Sequence, residues 1–293
     1  MLLQRIITAL ILVPLVVLAV FQLPLEYFSL LMGLITLLAA WEWTRLVGID
    51  SPLKRGLFLL ALILPMLWLQ FWTQFLELAA QVLDWPDIRS YSGALEWLVI
   101  LPVLFWILVM LLIRKAPEGV LKLEMKLRYK ALIGWFILLA CWMFLTRLRA
   151  FYGSEMTLYF LVLVWVADIA AYFAGKKYGT IKLSPEISPG KTVQGMYGAL
   201  LAGAVWAAMF IGYYGYQEGF VWMRLVDFVL LSVLTVLISI YGDLFFSVVK
   251  RQGGMKDSGS ILPGHGGILD RIDSLIAAVP FFYAGILMIG LIA

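Results

Sequence analysis

Four aspartates of this 293-residue chain stand in or beside long apolar runs: Asp168, Asp243, Asp270 and Asp273. A carboxylate in an apolar helix is costly and marks a functional position by default. Asp243 lies in LISIYGDLFFSVVKR, with Ser247 at i+4 and Lys250 and Arg251 at i+7 and i+8. On a helix this spacing places them on one face, two turns deep. Asp270 and Asp273 are three residues apart and share a face, with Arg271 between them. Between the two groups runs QGGMKDSGSILPGHGG, which holds Lys256, Asp257, the lone histidine His265 and glycines that include Gly266 and Gly267. Glycine amides approach anions closely and form anion-binding nests. Carboxylate oxygens suit hard divalent cations, and ammonium, guanidinium and N–H groups suit phosphates. Both sets together point to Mg²⁺-assisted chemistry on a polyphosphate, with a lipid as the second substrate. A phosphate contact or a turn role suits His265 better than metal ligation, because no second histidine exists.

A second polar stretch, WVADIAAYFAGKKYGTIKLSPEISPGKTVQG, begins with Asp168 and has Tyr172 one turn later. Lys176, Lys177 and Lys182 follow, then a turn with Ser188, Lys191 and Thr192. Gly190-Lys191-Thr192 is not a Walker A loop. That motif needs a glycine where Pro185 stands and a strand before it. The turn remains a candidate phosphate site just ahead of a helix expected from about 196.

These residues need a membrane scaffold. The chain is 63% hydrophobic and 14% charged, against about 45–50% and about 25% in soluble domains. One cysteine, Cys141, rules out an intramolecular disulfide, and one Cys with one His rules out the usual zinc sites. About 20 apolar residues span a bilayer as a helix. Nine segments qualify: 6–23, 27–46, 56–75, 96–113, 131–148, 157–175, 196–215, 225–246 and 274–292. The first reads as a retained helix rather than a cleaved signal. No alternating strand pattern supports a β-barrel. Tryptophans at segment ends (Trp41, Trp43, Trp97, Trp222) fit interface anchors. With the N-terminus cytoplasmic, 18 of the 22 Lys and Arg fall on the cytoplasmic side and 4 (Arg89, Arg147, Arg149, Arg224) on the other. That asymmetry supports nine spans, N-terminus in and C-terminus out. The basic stretch 114–130 reads as a loop near anionic lipid. The expected architecture is all-α and polytopic. Residues 1–150 supply packing, oligomer contacts or lipid access. Residues 151–293 carry the chemistry on cytoplasmic loops 176–196 and 247–274.

The polar residues resemble those of the phosphatidate cytidylyltransferases, the bacterial CDP-diacylglycerol synthases. The family signature has the form S-x2-K-R-x4-K-D-x-[GSA]-x2-[LIF]-P-x-H-G-G-x2-D-R-x-D. Every constrained position is met from Ser247 through Lys250, Arg251, Lys256, Asp257, Gly259, Leu262, Pro263, His265, Gly266, Gly267, Asp270 and Arg271 to Asp273. The upstream block of Asp168, Ala171, Tyr172, Gly175, Lys176, Ser188–Thr192 and Gly195 is also similar, as is WEWTRL at Trp41–Leu46. Gln194 stands where many members carry Glu, so position 194 receives no metal or acid role.

The resemblance implies transfer of CMP from CTP to phosphatidate, giving CDP-diacylglycerol and pyrophosphate. The phosphate of phosphatidate is itself the nucleophile, so no general base is required. The implied assignment gives Mg²⁺ to Asp243 and Asp270, with Ser247 as a further ligand and Asp273 and Asp168 next in line; a second metal ion is left open. Lys191, Lys250, Arg251, Lys256 and Arg271 would neutralise the two anions. Ser188, Thr192, Tyr172, Asp257, His265, Gly266 and Gly267 would contact substrate. Nucleic acid is not an expected partner, and a homodimer is left open. The implied location is the bacterial inner membrane, with the active site facing the cytoplasm. A CTP-dependent polyprenol kinase and an ion-coupled transporter with Asp168 and Asp243 on its path are the alternatives. The D-x2-D-G-x2-A-R pattern of CDP-alcohol phosphotransferases is absent.

Overall fold

A computed structural model describes the backbone of residues 2–218, 222–261 and 266–292. His265, Leu262 and Pro263 of the signature lie outside the described residues, as do the side chains of Arg5, Arg89, Trp222 and Arg224. The chain is a bundle of apolar helices. Helices α1 (Leu2–Gln22), α2 (Leu25–Leu46) and α3 (Pro52–Gln70) are followed by the short α4 (Trp72–Val82) and a run of 3-10 turns over Pro86–Val99. Then come α5 (Ile100–Lys115), the one-turn α6 (Pro117–Leu121), the 52-residue α7 (Leu127–Tyr178), α8 (Val193–Glu218), α9 (Trp222–Gln252) and α10 (Leu269–Ile292). Among the described residues, seven helical segments are long and apolar enough to cross a membrane. The chain is a multi-pass membrane protein.

The expected spans 131–148 and 157–175 are joined in α7. Gly153 interrupts it with φ 80° and ψ −179°, a backbone region essentially closed to other residues. The bend lies beside the expected divide at 150/151, so one helix belongs to both parts. The expected span 56–75 stops earlier, because the chain leaves helical geometry at Phe71. A helix embedded in protein is apolar all round, and α10 fits this: residues 273–280 are all buried. It packs on α9, α7, α5 and α2.

Among the described residues, the bundle carries one β-hairpin. In the loop after α7, β1 (Lys182–Ser184) pairs antiparallel with β2 (Ser188–Thr192). Pro185 and Pro189 fit because the strands are an isolated two-stranded edge. Thr192 closes the hairpin and caps α8, its Oγ1 accepting from Gly195 N at 3.1 Å. Gln194 clips the preceding turn: its Oε1 accepts from Thr180 N and Ile181 N, and its Nε2 donates to Thr180 Oγ1. Position 194 is thus structural here.

Helix pairs that build the polar end of the bundle cross on small residues. A Cβ on Gly242 of α9 would lie 2.5 Å from Ala277 Cβ on α10. A Cβ on Gly198 of α8 would lie 2.4 Å from Ala174 Cβ on α7. Such crossings let backbones approach in a membrane, where dispersion rather than water exclusion drives association. The N-terminal part joins the same core: Trp43 of α2 stacks with Phe245 of α9 and meets Phe246 edge-on. Its Nε1 donates to Lys130 O on α7. Gly134 makes that approach possible, since a Cβ there would fall 1.9 Å from Trp43 Nε1. Gly134→Ala is expected to destabilise the protein by about 1–3 kcal/mol. Gly56→Ala, where nothing lies within 4 Å, is expected to be neutral or stabilising by up to about 1 kcal/mol. Thermal unfolding of the two variants in detergent checks the contrast.

Candidate active site

α7, α8, α9 and α10 enclose a cavity of about 580 Å³ with the hairpin at its rim, within the usual range of small-molecule sites. α7 contributes Asp168, Tyr172 and Lys176; the hairpin Lys182, Lys191 and Thr192; α9 Asp243 and Lys250; α10 Asp270, Arg271 and Asp273. Asp257 reaches it from the glycine-rich segment. The lining therefore holds five carboxylates and five cationic side chains. Gly242 and Ala277 bring the α9 and α10 backbones together beside Asp243 and Asp273, so these two carboxylates face one space.

The charges are paired across elements. Lys191 Nζ lies 2.7 Å from Asp243 Oδ2 and also donates to Ile240 O at 3.3 Å. Lys250 Nζ donates to Asp270 Oδ1 at 2.8 Å and is 4.0 Å from Asp273 Oδ2. Asp270 Oδ2 accepts from Ser258 N at 2.8 Å and Gly267 N at 3.0 Å. Asp273 Oδ1 accepts from its neighbour Ser274 N at 2.8 Å. An unpaired charge here would cost several kcal/mol. The two main pairs differ in access. The side chains of Lys250 and Asp270 are 14% and 7% exposed, those of Lys191 and Asp243 23% and 33%. Asp270 is the held carboxylate, with a cation and two N–H groups on it. Asp243 is the exchangeable one, its Oδ1 meeting only a long 3.5 Å contact from Ser247 Oγ among the described residues.

The expected site residues divide accordingly. Asp168, Tyr172, Lys191, Thr192, Asp243, Lys250, Asp257, Asp270, Arg271 and Asp273 line the one cavity. Ser188, Ser247, Arg251, Lys256, Gly266 and Gly267 do not line it. Arg251 is exposed, because one residue beyond Lys250 turns it about 100° round the helix; the shared face expected at i+8 is not realised. Gly267 acts through its amide on Asp270, and Gly266 takes a left-handed φ of 80°. Lys182 stood out in the sequence only as loop charge and Lys176 only as part of the upstream block, yet both reach the cavity. One residue was missed: Glu42 of α2, buried against the segment that carries Asp270.

The donor set is all oxygen and suits a hard divalent cation. Among the described residues, no three His, Cys, Asp or Glu side chains form a metal-holding group. A bound Mg²⁺ takes one or two carboxylates and completes its shell with water and substrate phosphates. Asp243, with Asp273 and Asp168 nearby, would hold it, and the ion would stabilise negative charge on transferring phosphoryl oxygens.

The cytidylyltransferase family model matches residues 3–289. The chain belongs to the cytidylyltransferase family. It is 36% identical over 291 residues to the phosphatidate cytidylyltransferase of Haemophilus influenzae, covering 96% of this chain and 97% of that one. Against the phosphatidate cytidylyltransferase of Pseudomonas aeruginosa it is 38% identical over 285 residues, covering 97% and 96%. The Bacillus subtilis phosphatidate cytidylyltransferase is 42% identical over 135 residues, 45% of this chain and 47% of that one.

The buried pair yields a direct check. Lys250→Met leaves Asp270 and Asp273 without their cation and is expected to cost roughly 3 kcal/mol. Adding Asp270→Asn to Lys250→Met should recover part of that loss, and unfolding measurements on both single variants and the double variant read the coupling.

Proposed function

We propose that this chain is a phosphatidate cytidylyltransferase that transfers CMP from CTP to phosphatidate. A phosphate oxygen of phosphatidate attacks the α-phosphorus of CTP. The bond from that phosphorus to the bridging oxygen of the leaving group breaks, and pyrophosphate departs with the electron pair. No proton need be removed by the protein, because the nucleophile is already an anion. What the protein must do is bring two anions together and orient them.

The observation that carries this reading is the charge-balanced cavity. Five cations and five carboxylates line it, and two of the cations, Lys191 and Lys250, are held by carboxylates from which they can turn toward phosphate when substrate arrives. Lys191 is the first to exchange, since its pair with Asp243 is the more open. With Lys191 turned to phosphate, Asp243 would be free to hold Mg²⁺, which would supply charge stabilisation. A balanced lining cannot by itself neutralise two added anions, which is the physical reason for a divalent ion. Lys176 and Lys182 extend the cationic rim toward the hairpin. Thr192, at the start of α8, can offer its hydroxyl hydrogen to a phosphate. Asp270 keeps Lys250 pointed at the cavity, and Asp273 shares that cation.

The protein lies in the bacterial inner membrane with this cavity facing the cytoplasm, where CTP is available. Support comes from the charge asymmetry: Lys176, Lys177, Lys182, Lys191, Lys250, Arg251, Lys256 and Arg271 all belong to loops 176–196 and 247–274 or their edges.

Purified protein given radiolabelled CTP, phosphatidate and Mg²⁺ should make a CDP-lipid and pyrophosphate, and omission of any one component should stop it. Absence of the CDP-lipid would overturn the proposal. Asp243→Ala should abolish turnover in protein that remains folded by size-exclusion chromatography; a wild-type-like rate would remove Asp243 from the metal assignment.

A further inference from the structure

Glu42 lies far from the signature in sequence, yet it is bound into it. Its side chain is 1% exposed. Oε2 accepts from Ser258 Oγ at 2.9 Å and from Leu269 N at 2.8 Å, and Oε1 accepts from Ile268 N at 3.0 Å. Leu269 opens α10, so the carboxylate takes N–H groups that a helix start leaves without intrahelical partners, at the positive end of its dipole.

The slot around this carboxylate is built for it. A Cβ on Gly259 would lie 2.4 Å from Glu42 Oε1, and a Cβ on Gly267 would lie 2.3 Å from Oε2. Two glycines of the polar segment therefore stand where a side chain would displace the carboxylate. Ser258 links the two acidic anchors: its hydroxyl goes to Glu42 and its N–H to Asp270. Glu42 fixes Ser258 and residues 268–269, which flank Asp270 on both sides of the chain's return. Asp270 in turn orients Lys250.

We infer that Glu42 is a positioning residue for the cytidylyl transfer: it holds Ser258 and the start of α10 in register, so that Asp270 presents Lys250 to the cavity. The inference rests on the reading that Lys250 and Asp270 belong to the reacting site. Glu42 touches neither the cavity nor substrate, so its action is through geometry. This also gives α2 a task in the reaction, through a side chain supplied by the N-terminal part.

Glu42→Gln tests it at constant shape. An amide has one acceptor oxygen, and its NH2 faces backbone N–H groups that need an acceptor, so at least one of them goes unserved. Folded Glu42→Gln should lose about tenfold or more in kcat, with KM for CTP changed far less, because small misplacements of a catalytic group act on the chemical step. Ser258→Ala, which removes one of the three bonds, should show a smaller loss of the same kind. An independent readout uses a nitroxide on Ser260→Cys. Position 260 is exposed, while Cys141 is the sole native cysteine and is buried. Label motion should be restricted in the parent and freer in Glu42→Gln. Parent-like motion and parent-like kcat in folded Glu42→Gln would overturn the inference, as would a kcat loss that merely tracks loss of folded protein. Freer motion with unchanged kcat would instead overturn the placement of Lys250 and Asp270 in the reacting site.

Discussion

Charge pairing inside a helix bundle is the constraint on which the rest of the structure depends. Lys250, Asp270 and Asp273 are too buried to keep their charges unpaired. The Lys250–Asp270 and Lys191–Asp243 pairs each join two different elements, so no single helix carries its own neutralisation. The bundle must therefore close before its charges are satisfied. Closure in turn requires backbones near enough for short side chains to meet, which is what Gly242 against Ala277 and Gly198 against Ala174 provide. The contacts that close the bundle are therefore also the ones that set the charged cavity.

The two pairs are graded. The deeper one combines Lys250 with an aspartate already fixed by two backbone N–H groups, and the shallower one leaves Asp243 an open oxygen edge. A gradient of this kind separates scaffold from reactant within one cluster of like residues. Asp270 is held by one cation and two N–H groups, while Asp243 keeps the more exposed carboxylate. Glu42 continues the scaffold outward, carrying it from α10 into α2.

Much of the site was legible in the sequence because charge in an apolar run is conspicuous. Asp168, Asp243, Asp270 and Asp273 stood out for that reason, and all four line the cavity. The SPEISPGKT turn was legible from its prolines and glycine, though strands of three and five residues are too short to show a period. Helical projection placed Arg251 with Lys250, and failed because a cavity is narrower than a helix face. Gly153 lies in RAFYGSEM, between the expected spans 131–148 and 157–175, where a loop is the natural reading; that helix continues on both sides of a bend there could not be read from hydropathy. Glu42 was hidden for another reason. It stands inside the expected span 27–46 within WEWTRL, and its partners lie 216 to 227 residues away. Nothing in the local pattern announces a contact that only closure of the bundle creates.

The tight crossings also bear on how such a protein can diversify. Along α7–α8 and α9–α10 the positions nearest the cavity have no volume to spare, so larger side chains cannot be tried there without separating the helices. The hairpin is different: Gly190 has nothing within 4 Å of where a Cβ would stand. New contacts to the nucleotide or to the lipid headgroup can be gained at that rim while the membrane-embedded floor stays as it is. Side chains at the hairpin rim can thus change in size without moving the helix crossings beneath it.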